Sequence, residues 1–437
     1  MKLFKMLISI VIFIGAYSCN CEDDVLENNT QLTTQSSIRT YEEALAIAKS
    51  SISMIEDAHA TTRFGNTEHR SIDLSNSMVI TDKTTRYANQ SDTALYVFNF
   101  KDDNGFALVS ANPNTEGLIA VTESGNYKDC VTENTAFAEY VSMAKRMIRD
   151  NIKPYPKEPE GPIPMIKRDT LSREQRGPYI SVQWGQNYPE GVFFPNAKAG
   201  CGNVATLQIL SYYRYPTQIK LTYPNADSEI INLDWRVMLS HTRSGTEIEK
   251  NCSQNHLKAH SDIAHLCRQI AVYTNSQFHP EYIDFKYNLD NYMLPSSTYT
   301  TYGTYSSIYN IHDAFASFGF TTSNILEYSP ECTYTPLENN KLILMQGGTN
   351  SDLHIWVIDG FIKYTIRTKS YETIELTTYT TTSFYNHINW GWNGICNGYF
   401  LDNIFNIKNG KKYDYKSIDS DEGYNFYKNK IYFSITK

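Results

Sequence analysis

A cysteine stands between two glycines in Ala199-Gly200-Cys201-Gly202-Asn203-Val204-Ala205, and an almost wholly apolar run follows through Leu207, Ile209, Leu210, Tyr212 and Tyr213. The pattern reads as a loop delivering a thiol to the first turn of a buried helix that ends before Pro216. Unpaired N–H groups and aligned peptide dipoles at a helix start favour the thiolate, so Cys201 is placed to act as a nucleophile near neutral pH. Taken alone, such a cysteine is more often a small buried hydrophobe. A thiol nucleophile also needs a base, a group that orients the base, and donors for an oxyanion. Ten histidines compete for the role of base. His354 heads the alternating strand His-Ile-Trp-Val-Ile-Asp-Gly, which sets His354, Trp356 and Ile358 on one face. His387 is its rival; in the run Asn386-His387-Ile388-Asn389-Trp390, Asn389 is suited to orient an imidazole and Trp390 to shield that bond from water. His256 and His260 are four apart, so a helix would put them on one face, as zinc ligands require. Leu257 stands where an H-E-x-x-H motif has its glutamate, and no carboxylate ligand is evident. With His265 they read as a solvated helix face, and no metal or other cofactor is expected.

The elements that must hold these groups belong to a chain of 437 residues, long enough for two or three domains with full cores. Charged residues are 20% and hydrophobic ones 41%, a globular balance. The net charge is −8 with no dense Lys/Arg block, which argues against nucleic acid as a partner. Residues 1–18 read as a signal peptide: Lys2 and Lys5 precede an apolar run from Leu7 to Ile14, then Ala16-Tyr17-Ser18. Cys19 follows the cut, and the segment resembles the lipobox of bacterial lipoproteins. A lipid on Cys19 would anchor an exported protein to the cell envelope; the mature chain is expected outside the cytoplasm in any case. Residues 19–37 read as a flexible tether. Over 38–150, a Thr40/Glu43 capping box opens a helix, a hairpin joins Ala94–Phe100 to Phe106–Ser110, and a helix spans Thr135–Arg149, giving a small α+β domain. Residues 151–177 carry prolines at 154, 156, 159, 162 and 164 and exposed basic positions, which predicts a linker and a processing region. From 178 to 437 a helical part around Cys201 precedes strands at Leu342–Met345, His354–Asp359, Glu372–Thr378 and Phe384–Trp390, an arrangement of two lobes with a cleft between them. Apart from Cys19 and Cys201, six cysteines remain, and 15 pairings are possible.

Histidine 153 positions after the cysteine, then Asn-Trp 35 further on, is the papain-like order (354 − 201; 389 − 354). With Trp184-Gly185-Gln186, Ala199-Gly200-Cys201, Val204-Ala205, His354, Val357-Ile358-Asp359-Gly360, His387-Ile388-Asn389-Trp390-Gly391-Trp392 and Gly398-Tyr399-Phe400, the chain resembles the streptopain family of secreted bacterial papain-like cysteine peptidases. The resemblance implies an α+β fold, a two-lobed peptidase with a helical lobe and an antiparallel β lobe, preceded by an inhibitory prodomain over 38–150. It implies a cysteine endopeptidase made as a zymogen and acting on protein or peptide substrates through an acyl-enzyme. Cys201 would be the nucleophile, His354 its base, Gln186 an oxyanion donor and Asn389 the orienting amide, with Trp390 and Trp392 walling the site. Leu353 stands where the family usually has a substrate-contacting glycine, Gly202-Asn203 separates the cysteine from Val204, and Phe361–Ser383 is an added Thr/Tyr-rich hairpin. The family's substrate-contacting serine has candidates in Ser296, Ser297, Ser306 and Ser307. The alternative is a surface protein that keeps the fold for binding or inhibition without turnover. On the peptidase reading, a cut within 151–177 would free the enzyme from its anchored prodomain.

Overall fold

In a computed structural model, residues 38–60, 70–81, 93–150, 165–224, 226, 228–242, 253–279, 285–287, 293–295, 303–348, 353–372, 375–405 and 431–437 are described. The signal peptide, the tether, Cys19 and the proline run lie outside them. Helix α1 (Tyr41–Ala60) starts at the expected box, with the Thr40 N–H donating to Glu43 Oε2 at 2.8 Å and the Glu43 N–H to Thr40 Oγ1 at 3.2 Å. Strands β1 (Met78–Thr81), β2 (Thr93–Asn99), β3 (Phe106–Ser110) and β4 (Leu118–Thr122) form an antiparallel meander, with α2 (Tyr127–Glu133) and α3 (Thr135–Asp150) following.

The second half of the expected linker is not a linker. Met165–Arg176 is a strand, β5. Its charged residues suit an edge position, where one flank meets water rather than another strand. The prolines at 154–164 lie outside the described residues. Beyond β5, the helical lobe is built on α4 (Cys201–Tyr213), α5 (Gln254–Tyr273) and α6 (Ile308–Ser317). The β lobe comprises β6 (Leu342–Gly348), β7 (Leu353–Glu372), β8 (Glu375–Asn389), β9 (Gly398–Leu401) and β10 (Ile431–Thr436). The strand expected at Glu372–Thr378 is divided between the arms of the β7–β8 hairpin: Glu372 closes β7 and pairs with Glu375, which opens β8. Beyond Gly360, β5 takes the flank of β7 that β6 occupies before it.

Among the described residues one sheet spans both expected domains, in the order β1-β2-β3-β4-β9-β8-β7-β6-β10. The junction is the β4–β9 ladder, which pairs Thr122 with Gly398, Val121 with Tyr399 and Ala120 with Phe400. The central strands are buried on both faces, so consecutive residues enter different cores. Ile343, Met345, Trp356 and Ile358 join the core of the first domain; Leu342, Leu344, Ile355 and Val357 join the helical lobe with Val204, Leu207 and Phe433. On the first side, Tyr140 of α3 packs edge-on against Phe400 at 5.1 Å and donates its hydroxyl proton to the Ile119 carbonyl at 2.8 Å, with the Leu401 carbonyl at 3.2 Å.

Candidate active site

Cys201 is the first residue of α4, as its sequence setting predicts. Gly200 precedes it at φ 84, and a Cβ there would collide with the Thr304 carbonyl, so the turn into the helix requires glycine. Gly202 has an equally local reason: a Cβ would lie 2.7 Å from Ile311 Cδ1 of α6. Asn203 is fully buried and ties the helix start to its surroundings. Its Nδ2 donates to the Ala199 carbonyl and to Ser276 Oγ, each at 2.9 Å, and its Oδ1 accepts from the Thr274 hydroxyl at 2.9 Å. Gly202-Asn203 thus fixes the cysteine against α5 and α6. Ser306, one of the serine candidates, is buried within 2.7 Å of Ser276 Oγ, and Ser307 caps α6; Ser296 and Ser297 lie outside the described residues.

The thiol faces the backbone N–H groups of Ile355 and Gly202, but burial outweighs them and pushes its pKa up. It rests as a protonated thiol. His354 adjoins Ile355, yet strand parity sends its ring to the other side of β7, where it stacks on Trp356 at 6.1 Å. His354 Nε2 donates to the Trp390 carbonyl at 2.8 Å, and Trp392 Nε1 stands 3.3 Å away. Burial pushes the imidazole down to about 4, so it is neutral. No hydrogen bond or ion pair joins Cys201 to His354.

Asn389 does not orient His354 here. Its Nδ2 donates to the Val182 carbonyl at 3.0 Å, and its Oδ1 accepts from Gln208 Nε2 at 3.1 Å and from the Gly391 N–H at 3.2 Å. Trp390 is fully buried against Trp356 and Phe400, so its indole is core rather than a wall exposed to substrate. Trp392 is half-buried and borders a cavity of about 260 Å³ together with Gln186, Asn187, Lys198, Asn393 and Ile395 of the second domain and Glu133 of the first. Gln186 is drawn toward the cysteine loop by its carbonyl, which accepts from the Ala199 N–H at 2.9 Å. Leu353, half-buried, opens β7 opposite Gly348.

The rival histidine has another use. A bulge at Asp359 turns its carboxylate toward His387, with Oδ1 2.5 Å from Nδ1, while Glu123 of the first domain stands 3.3 Å from Nε2. Burial opposes a charge there, but the two carboxylates outweigh it and hold His387 up to about 10. The first domain grips the adjacent loop as well. The Glu123 N–H donates to the Asn397 carbonyl at 2.8 Å, the Ser124 hydroxyl to the Gly394 carbonyl at 2.6 Å, and a disulfide joins Cys130 of α2 to Cys396. This bond was beyond sequence reasoning, and it corrects the expectation that one cut frees the second domain: the two pieces would stay covalently joined. Cys267 is buried core, and Cys332 is a free thiol that burial pushes up to about 12.

Two family models match the sequence. One is described as the peptidase C10 family and covers residues 180–400, just over half of the chain; the other is described as Spi protease inhibitor and covers residues 31–148. Among solved structures, the chain is similar to a fragment of prointerpain A from Prevotella intermedia, at 18% identity and a TM-score of 0.47, covering 82% of this chain and 98% of that one. No curated protein matches.

Proposed function

The chain belongs to the peptidase C10 family, the streptopain family, and from that premise we propose that it is an exported cysteine endopeptidase held latent by its own first domain. The observation that carries the reading is the setting of Cys201: a thiol at the head of α4, against the backbone of the residue that follows His354. Turnover requires His354 to leave the Trp390 carbonyl and swing toward the thiol. It then takes the thiol proton, the thiolate attacks the peptide carbonyl, and the Gln186 amide with the Cys201 N–H receives the oxyanion. The imidazolium returns its proton to the leaving amine, and water hydrolyses the thioester. Leu353 and Trp392 would border the bound peptide.

Latency follows from the same contacts. The first domain grips residues 394–397, that loop carries Trp392, and Trp392 stands against His354. Processing is assigned to residues 151–164, because β5 is bound into the ladder of β7. Export through residues 1–18 and a lipid on Cys19 complete the proposal.

The test compares full-length wild type with Cys201→Ala and His354→Ala in a bacterial host that processes lipoproteins. Wild type is expected to cut itself and, once processed and reduced, to react with a vinyl-sulfone peptide at Cys201; neither variant should do either. Equal processing of Cys201→Ala would assign the cut to another protease. The commitment of Asn389 to Val182 and Gln208 favours a second reading, a binding or inhibitory protein without turnover. Failure of Cys201 to label in processed protein would establish that reading instead. The mass of the N-terminal peptide reports the lipid.

A further inference from the structure

The helix face expected to be solvated is partly enclosed. His260 is buried, His256 is half-buried, and a third imidazole, His241, reaches them from the segment before α5. One ligand nitrogen from each of the three lies within 4.8 Å of the other two. His260 Nε2 and His241 Nδ1 are 3.2 Å apart. Two nitrogens bound to one tetrahedral ion at ~2.0–2.1 Å are separated by about 3.3 Å, so this pair already has the spacing of shared ligands.

The protons strengthen the case. His260 Nδ1 lies 2.7 Å from the Tyr188 hydroxyl, and donating to it leaves a lone pair on Nε2 aimed at His241. If His241 carries its proton on Nε2, two lone pairs face each other at 3.2 Å. If it carries the proton on Nδ1, its Nε2 lone pair is left buried, and that atom has no hydrogen-bond partner among the described residues. A cation shared by the two facing lone pairs relieves the first arrangement. A metal-bound imidazole usually donates its other ring N–H to an oxygen acceptor, and the Tyr188 hydroxyl oxygen stands in that place beside His260 Nδ1.

We propose that His241, His256 and His260 bind a divalent transition-metal ion, zinc by preference, leaving its fourth position to water. The ion braces the segment that carries Gln186. Trp184 Nε1 donates to the His241 carbonyl at 2.7 Å, the Gln183 N–H donates to the Thr242 carbonyl at 2.6 Å, and Tyr188 supports His260, so the site holds that segment on both sides of Gln186. It is separate from the thiol chemistry and does not depend on the peptidase reading.

The test uses the full chain with Cys201→Ala, which removes the reactive thiol as a competing ligand, stripped with a chelator. Titration with zinc followed by calorimetry, and with cobalt(II) followed by absorption, should give one ion per chain. Cobalt should show tetrahedral visible bands without a thiolate-to-cobalt band in the near ultraviolet. His256→Gln, at a half-exposed position that folding tolerates, should weaken binding at least about 100-fold. Tyr188→Phe should weaken it about 10- to 100-fold, the effect of losing an outer support. Saturating zinc should raise Tm by a few degrees on the order expected for linked binding, and not in His256→Gln. No binding at micromolar zinc, a thiolate band, or unchanged affinity in a folded His256→Gln protein would overturn the site.

Discussion

A chain cut between Asp150 and Met165 is expected to stay inactive until a thiol reductant is added, because Cys130–Cys396 still joins its halves. The magnitude follows from concentration. An inhibitor domain tethered beside its target acts at an effective concentration on the order of 1 mM. The same domain released into an assay at about 10 nM enzyme is about 10⁵-fold more dilute, a difference of about 7 kcal/mol at ~1.4 kcal/mol per tenfold. The assay places a recognition site for an unrelated endoprotease within residues 151–164 and compares the native-cysteine chain with a Cys130→Ser/Cys396→Ser variant. After cutting and dilution, a fluorogenic peptide reports activity and a non-reducing gel reports whether the halves are joined. The double variant should be active at once; the native-cysteine form should become active only with a dithiol. The double variant without reductant also shows whether Cys201 itself is intact, which separates release from rescue of an oxidised nucleophile. Equal activity of the two cut forms before reduction would refute the tether. So would a double variant that stays silent on dilution, since non-covalent contacts would then suffice.

Asn203→Ala should destabilise the helical lobe by about 1–3 kcal/mol in chemical denaturation, since it strips the buried Ala199 carbonyl of the Asn203 amide and leaves the Thr274 hydroxyl to Ser276 alone at short range, and should slow labelling of Cys201 in processed protein. Glu123→Gln should cost about 3 kcal/mol, the lower end for breaking a buried ion pair, because Asp359 still faces His387. His387 titrates higher in the fold than the ~6.5 of an unfolded chain, so its stabilising contribution is full below about pH 6.5 and is lost as the pH rises toward 10; Glu123→Gln should flatten that decline. His354 has the opposite sign: buried and neutral, it contributes fully above about pH 6.5 and loses its contribution as the pH falls toward 4, so the denaturation midpoint of wild type should drop over that interval more than that of His354→Gln.

Much of this was legible in the residues. Cys201 at a helix start, the hairpin joining Ala94–Phe100 to Phe106–Ser110, the capping box and the added hairpin all follow from local pattern, and the structure has each of them. What escaped depended on distance. The Cys130–Cys396 pair is separated by 266 residues and was one of many possible pairings. His241 sits outside the helical spacing of His256 and His260, so no periodicity joins it to them. The alternation around His354 was legible, and the structure has it: the ring stacks on Trp356, on the face opposite the Ile355 side chain. Strand β5 was hidden because its charges suit an edge position, and the prolines beside it dominated the pattern.

The shared sheet has a cost that appears only after activation. While β4 is in place, the backbone of Gly398–Phe400 is paired on that flank; once the first domain leaves, β9 becomes an outer strand with unsatisfied N–H and C=O groups. Its residues Gly398-Tyr399-Phe400-Leu401 include no lysine and no proline, the usual protections of an open border. On the zymogen reading, the released second domain would carry a docking place for an extended chain, another copy of itself included. In the latent form the first domain fills that place as a donated strand.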